Sequence, residues 1–102
     1  MNQHLHGLAG LDRLIHEPAR LMIMVILEGA GEAGFVRLQR ETGLTQGNLS
    51  SHLAKLEDAG YVDIQKGMQN NVPLTTCRLT AQGREAFNGY SRTLSGALST
   101  IP

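Results

Sequence analysis

The sequence has one cysteine, Cys77, no tryptophan and only two tyrosines and two phenylalanines among its 102 residues. A single cysteine cannot form a disulfide within the chain, which is typical of proteins from a reducing compartment. No apolar run approaches the roughly 20 residues that span a bilayer, and the first residues lack the basic and apolar regions of a signal peptide. We therefore expect a cytoplasmic protein without membrane contact.

The sequence also lacks an excess of either charge. Nine Lys and Arg residues against nine Asp and Glu residues give a net charge of zero, whereas proteins that bind nucleic acids usually carry a basic excess. Five basic residues nevertheless lie in or near the central segment: Arg37, Arg40, Lys55, Lys66 and Arg78. Acidic residues share these segments, so only the fold can separate the two signs into patches.

Catalytic and metal chemistry have little support in the sequence. No nucleophile, base and orienting residue occur in a recognisable set, so we predict no catalytic residues, no cofactor and no enzymatic activity. His4 and His6 could bind a metal ion, but no third ligand lies nearby, and we predict no metal site. With 41% hydrophobic residues, the chain can bury one core, and we predict a single domain over residues 1–102.

The segment from Thr42 to Val62 carries the clearest pattern in the chain. Thr45 is a typical N-cap residue, and Gly60 can adopt the left-handed conformation that ends a helix. Between them, apolar residues at helical spacing form one stripe: Leu49, Leu53 and Leu56. The opposite face is small and nearly uncharged: Gly47, Asn48, Ser51, Ala54 and Lys55. Such a helix can enter a groove of DNA and contact base edges, so DNA recognition is the leading hypothesis.

Helical patterns precede this segment. Apolar spacings of three and four predict a short amphipathic helix over residues 5–16, and Pro18 favours the start of a second helix that runs to about residue 28. The run from Leu21 to Leu27 is apolar all round, which predicts burial on every side. A third short helix is expected over about residues 36–42, closed by Gly43.

A hairpin and a last helix follow. Alternating side chains over residues 61–66 and 74–79 predict a β-hairpin with a long tip between them. Thr80 is a suitable N-cap for the final helix, which carries an apolar stripe: Phe87, Tyr90, Leu94, Leu98 and Ile101. The predicted fold class is mainly α with a small β-hairpin (α+β).

This order of helix, helix, helix, hairpin and helix resembles the winged helix-turn-helix transcriptional regulators, and among them the small MarR/ArsR-like group. The matching residues are Pro-Ala-Arg-Leu at 18–21, Thr-Gly-Leu-Thr at 42–45, Leu-Glu-Asp-Ala-Gly-Tyr-Val at 56–62 and the segment 78–87. The resemblance covers about residues 14–94. It implies a helix-turn-helix at about 35–60, a wing at about 61–79 and a C-terminal dimerisation helix at about 81–100.

The resemblance also implies partners and site residues. The protein would be a homodimer that binds an inverted-repeat operator in double-stranded DNA and regulates transcription, as a repressor. Contacts with bases or phosphates are implied for residues of the recognition helix and the wing: Thr45, Gln46, Asn48, Ser50, Ser51, Lys55, Lys66 and Arg78.

The N-terminal and C-terminal helices are both expected to contact the second protomer and to form the dimer interface. The last helix has more apolar surface than so small a core needs, and a second protomer would cover it. The predicted interface residues are Leu8, Leu11, Ile15, Phe87, Tyr90, Leu94 and Leu98. The alternative is that this helix packs on its own domain alone.

Two features depart from the family's pattern. The wing tip at residues 68–74 carries no positive charge, so wing contacts would come from amides and the backbone. The paired cysteines of metal-sensing ArsR helices are absent, and a metal-released switch is not expected. The neutral surface leaves an alternative function, a winged-helix module that binds a protein without contacting DNA.

Cys77 and the histidines each have two interpretations. A thiolate near Arg78 would be reactive enough to sense redox state, whereas strand alternation equally fits a small buried residue. His16 and His52 are expected to pack or to form hydrogen bonds. A small-molecule effector pocket would be lined by apolar residues such as Met22, Met24 and Tyr90, and the sequence does not distinguish such a pocket from core packing.

Overall fold

Five α-helices and three β-strands follow one another in the computed structural model, which describes residues 2–102. In chain order they are α1 (Gln3–Gly7), α2 (Pro18–Ala30), β1 (Glu32–Gly34), α3 (Phe35–Thr42), α4 (Gln46–Asp58), β2 (Val62–Gln69), β3 (Val72–Leu79) and α5 (Ala81–Leu98). This is the predicted α+β class with a winged-helix order of elements. Within residues 2–102, no helix combines the length and hydrophobicity needed to cross a membrane.

The N-terminal helix is shorter than the sequence predicts. One turn of 3₁₀ helix at Leu8–Gly10 follows α1, and the chain then forms turns. There the Asp12 carboxylate accepts hydrogen bonds from the backbone N–H groups of Leu14 and Ile15. The predicted helix over residues 5–16 was therefore wrong, because a side chain binds the backbone groups that a helix would have paired.

Three helix starts predicted from local chemistry are confirmed. Pro18 is the first residue of α2, where its missing N–H needs no partner. The Thr45 hydroxyl accepts a hydrogen bond from the Asn48 N–H at 3.1 Å. The Thr80 hydroxyl accepts one from the Gly83 N–H at 2.9 Å and so caps α5.

The sheet is antiparallel with the strand order β1-β3-β2. β1 was not predicted, because three residues give too little alternation to be recognised. β2 and β3 pair along their whole length, so the tip is only Asn70 and Asn71, with φ of 52° and 64°. The predicted long tip was wrong, since asparagine tolerates the left-handed conformation that a two-residue hairpin turn requires.

The core lies between α2, α3, α4 and the base of the sheet. Its fully buried side chains include Ile23, Met24 and Leu27 from α2. Met22 and Val25 of the same helix are 37% and 53% exposed. The prediction that this run is buried on every side was wrong, because the neighbouring elements cover one side of α2 only.

Candidate nucleic-acid interface

α4 is held by its apolar stripe and by conformations at both ends. Leu49, Leu53 and Leu56 are buried, as their spacing predicts. Gly43 before the helix has φ of 73°, and Gly60 after it has φ of 80°, both in the left-handed region that favours glycine. The helix is therefore fixed along its length and at both ends, and its orientation in the domain is set by the core.

The exposed surface of α4 contains all the site residues predicted there. Thr45, Gln46, Asn48, Ser50, Ser51 and Lys55 are exposed. The first two turns expose only uncharged polar and small side chains, and the acidic residues Glu57 and Asp58 come at the C-terminal end. Because a helix N-terminus carries a partial positive charge, the first turns suit approach to DNA.

A groove of about 650 Å³ separates α4 from the wing. Gln46, Ser50 and Ala54 line it from the helix side, and Ile64, Lys66 and Thr75 line it from the sheet. The structure therefore brings Lys66 together with two of the predicted residues of α4. Arg40, which is not among the predicted site residues, is exposed in the last turn of α3.

The two predicted wing cations lie on opposite faces of the sheet. Lys66 is paired across the strands with Thr75, and both residues line the groove. Arg78 is paired with Asp63, and this pair lies on the other face of the sheet. The Arg78 Nε lies 3.5 Å from the Asp63 Oδ2. Residues paired in register share a face and alternate along a strand. The structure therefore does not bring Arg78 into the groove.

His52 connects α4 to the start of α2. Its Nδ1 lies 3.1 Å from the Arg20 Nη1, and its Nε2 lies 3.9 Å from the Glu17 Oε2. Arg20 also donates a hydrogen bond through Nε to the Leu14 carbonyl. Partial burial opposes ionisation of Glu17, but the Arg20 backbone N–H and the neighbouring His52 outweigh it and lower the pKa of Glu17. This network was not visible in the sequence, because its members are distant along the chain.

A second contact fixes the junction between α4 and the wing. The Tyr61 hydroxyl donates a hydrogen bond to the Asp12 carboxylate, and this bond, together with burial, raises the pKa of Tyr61 to about 12. On the other side of the junction, Gly83 of α5 lies directly against the Tyr61 backbone. A Cβ at position 83 would lie 2.0 Å from the Tyr61 carbonyl oxygen, so only glycine fits there.

Cys77 lies at the base of the wing and is fully buried. Burial, together with the charge of Glu57, raises the pKa of its thiol to about 11. A reactive redox-sensing thiol needs exposure and a lowered pKa. The structure therefore favours the interpretation of Cys77 as a small core residue.

The other histidines have local roles. His16 Nδ1 lies 2.9 Å from the Tyr90 hydroxyl, so both His16 and His52 form hydrogen bonds as the sequence predicts. His4 lies against Gly96 of α5, where a Cβ would be 3.0 Å from the His4 Nδ1. Among residues 2–102, no three His, Cys, Asp or Glu side chains are grouped so that they could hold a metal ion.

The predicted dimer residues fall into three groups. Three are buried in the chain's own core: Leu11, Ile15 and Tyr90. Two are partly buried against that core: Phe87 and Leu94. Two are exposed, Leu8 at 37% and Leu98 at 58%. Packing within the domain thus accounts for much of the α5 stripe, and the apolar surface left for a partner is smaller than the sequence suggested.

Met24, proposed to line an effector pocket, is also a core residue.

Comparisons with known proteins agree with this geometry. The family model for a winged helix DNA-binding domain matches residues 19–98. An uncharacterized protein of Methanocaldococcus jannaschii is 33% identical over 78 residues, which are 76% of this chain and 85% of that protein. The HTH-type transcriptional regulator YgaV of Escherichia coli is 36% identical over 61 residues, 60% of this chain and 62% of YgaV.

A solved structure extends the likeness to nearly the whole chain. The transcriptional regulator homologue from Pyrococcus horikoshii superposes with a TM-score of 0.78 at 32% identity and 94% coverage of both chains. The matched residues of the DNA-binding domain include the whole α3-α4 unit and the β2-β3 hairpin. The chain belongs to the winged helix DNA-binding domain family, and its relatives include proteins named as transcriptional regulators.

Proposed function

We propose that this regulator acts as a homodimer that binds an inverted-repeat operator in double-stranded DNA and represses the adjacent gene. The observation that carries the proposal is the exposed, uncharged first half of α4, capped by Thr45 and held by a buried leucine stripe. A rigid helix with short polar side chains can place them against base edges in the major groove. Repression follows if the bound dimer occupies the site that RNA polymerase needs.

Each predicted residue except Arg78, which lies on the other face of the wing, takes a role from its position. Asn48 and Ser51, exposed in the first turns of α4, are proposed to contact base edges. Thr45, Gln46 and Ser50 lie at the entry of the helix and along the groove, where they would contact phosphates or the groove edge. Lys55 and Lys66 supply the positive charge for phosphate contacts. Two lysines per protomer predict modest affinity that falls steeply with salt.

The proposed dimer surface lies between α2 and α5. An apolar groove of about 510 Å³ runs there, with Leu21, Val25, Leu94 and Leu98 among its lining residues. Exposed Val25 and Leu98 would be covered by the partner's same surface, as in an isologous two-fold contact. We propose that a small apolar effector would enter the same groove, where it would alter the spacing of the two α4 helices.

Selection of duplexes from random DNA with the purified protein tests the proposal. We expect an inverted repeat whose half-sites are about 34 Å apart, because paired recognition helices read successive major grooves. Sedimentation of the free protein should give a dimer, and a promoter carrying the selected repeat should lose transcription when the protein is added. Equal binding to random and selected duplexes at physiological salt would contradict the proposal. Binding to a protein partner with no DNA retardation would instead favour an interaction module.

Substitutions in α4 test the assignment of base contacts. Asn48→Ala and Ser51→Ala should each weaken binding to the selected duplex by about 1 to 3 kcal/mol per lost base contact. Binding to random duplex should change little. Asn88→Ala is the matched control, because Asn88 is an exposed asparagine on α5, away from α4 and the wing. Equal losses on selected and random duplexes would assign these residues to phosphates.

A further inference from the structure

The outer half of the wing has an unusual surface for a hairpin that extends into solvent. From Gly67 to Leu74 it carries no charged residue. Three of its apolar side chains are exposed, namely Met68 at 66%, Val72 at 61% and Leu74 at 42%. The strand register puts Val72 and Leu74 on one face of the hairpin and Met68 on the other, so of these three only Met68 lies on the face that lines the groove. Without a charged side chain, this part of the wing makes no ionic contact with phosphates.

The turn presents two amides beside an apolar pair. Asn70 and Asn71 form the two-residue tip, both exposed and both at positive φ. Gln69 and Val72 form the pair next to the tip, and the following pair, Met68 and Pro73, has both side chains on one face of the ribbon. Lys66 and Ile64 lie further back on that same face, which is the face that lines the groove beside α4. The tip is therefore continuous with the proposed DNA surface.

The length of the ribbon limits what its tip can reach. Asn70 at the tip is four positions beyond Lys66 in the groove, a distance of about 13 Å along a strand. The major groove is about 12 Å wide and the minor groove about 6 Å. With α4 in a major groove, the tip can therefore pass the bordering phosphates and reach the neighbouring minor groove. Two paired strands are too broad for that groove, so only the side chains of the tip would enter it.

We propose, on the basis of the proposed function, that the wing tip is a non-ionic reader of A·T pairs in the minor groove. The Asn70 and Asn71 amides would donate to the acceptors on the floor of the groove, and Met68 with Pro73 would pack against the groove wall. A·T pairs present only acceptors there, whereas G·C pairs add the guanine amino group, which obstructs such a contact. Asparagine and apolar residues are both used for minor-groove binding.

The proposal separates two contributions to binding that DNA-binding wings usually combine. Cationic contacts release counterions, and each one steepens the dependence of log K on log salt by about 0.9. Amide and apolar contacts release none. The tip therefore contributes selectivity for flanking sequence without steepening the salt dependence, and Lys66 alone supplies the ionic contact of this face of the wing.

Inosine provides the sharpest probe. In the selected duplex, each base pair outside the bases read by α4 is changed in turn from A·T to G·C and then to I·C. An I·C pair keeps the major-groove pattern of G·C but lacks the minor-groove amino group. At the wing position, G·C should weaken binding about tenfold, and I·C should restore it. Failure of I·C to restore binding would overturn the proposal, because the discrimination would then not arise in the minor groove.

Variants of the tip connect this discrimination to the wing. The double change Asn70→Gly and Asn71→Gly removes both amides and keeps the positive φ that the turn needs. It should abolish the tenfold discrimination at an unchanged salt slope and an unchanged midpoint of thermal unfolding. Met68→Gln, which keeps the side-chain length, should weaken binding to every flank without changing the slope. Lys66→Gln is the ionic control and should reduce the slope while discrimination persists.

The outcomes distinguish this inference from the proposed function. If the wild type binds the selected repeat but neither flank changes nor tip variants alter affinity, the minor-groove inference fails and the proposed function stands. A reduced salt slope in the asparagine variant would also overturn the inference. If the wild type selects no duplex, both fail together.

Discussion

The recognition helix and the wing are anchored in the same core, but to different extents. Buried leucines are distributed along α4, so the core fixes the whole helix. In the wing, buried residues occur only at the base, where Val62 is paired with Leu79, and every residue from Gln65 to Leu74 is exposed. Core packing thus positions α4, whereas strand pairing alone positions the tip. Substitutions of the buried leucines of α4 should therefore affect folding, whereas substitutions in the outer wing should affect DNA binding alone.

A leucine in each region gives the largest expected contrast. Leu49→Ala removes a fully buried side chain of α4 and should lower the free energy of unfolding by about 2 to 5 kcal/mol, because a cavity is left in the core. Leu74→Ala, in the exposed part of the wing, should change it by less than about 0.5 kcal/mol. Urea denaturation of both variants measures the difference. Similar losses would mean that the outer wing is packed against something in solution.

The junction between the two regions gives the next largest effect. Gly83→Ala places a Cβ 2.0 Å from the Tyr61 carbonyl oxygen, and overpacking against backbone should cost about 3 kcal/mol of stability. Gly89→Ala in the same helix meets no atom within 4 Å and should be neutral or stabilising by up to about 1 kcal/mol. Thermal unfolding compares them. A stable Gly83→Ala variant would show that α5 can shift away from the α4-β2 junction.

The base of the wing can be tested by its pH dependence. The pKa of Cys77 is raised to about 11 from its ordinary 9.0 by burial, so the unfolded chain loses this proton first as pH rises. Stability is therefore fully present below pH 9 and should fall above it, by about 1 kcal/mol per pH unit. Cys77→Ala should reduce this slope between pH 9 and 10, and the tyrosines, which both proteins contain, do not contribute to the difference between them. An unchanged slope would contradict burial of the thiol.

The helix starts and the buried face of α4 could be predicted from local sequence. Thr45, Thr80 and Pro18 determine helix starts through groups within three residues, and the leucine stripe of α4 follows from helical spacing. Local patterns also had limits, because Asp12 interrupts a spacing that otherwise suits a helix. The exposed side of α2 depends on which elements pack against it, and no single helix encodes that arrangement.

Contacts between distant segments were beyond prediction. The network of Glu17, Arg20 and His52 joins residues of α4 to the start of α2, and no periodicity signals it. Tyr61 and Asp12 are separated by 49 positions. Strand register is equally non-local, because a shift of one residue exchanges the two faces of the wing. Lys66 and Arg78 were therefore predicted together as cations of the wing, because the sequence does not show that they lie on opposite faces.

The smallest expected effect tests that register. Lys66→Gln removes a cation from the face that lines the groove and should lower the slope of log K against log salt by about 0.9 for each protomer on the duplex. Arg78→Gln removes one from the opposite face, where Asp63 already accompanies it, and should leave the slope unchanged. Because an exposed pair of this kind contributes about 1 kcal/mol or less to stability, neither variant should unfold. Equal changes in slope would require DNA to contact both faces of the hairpin, and the wing would then have to lie edge-on to the duplex.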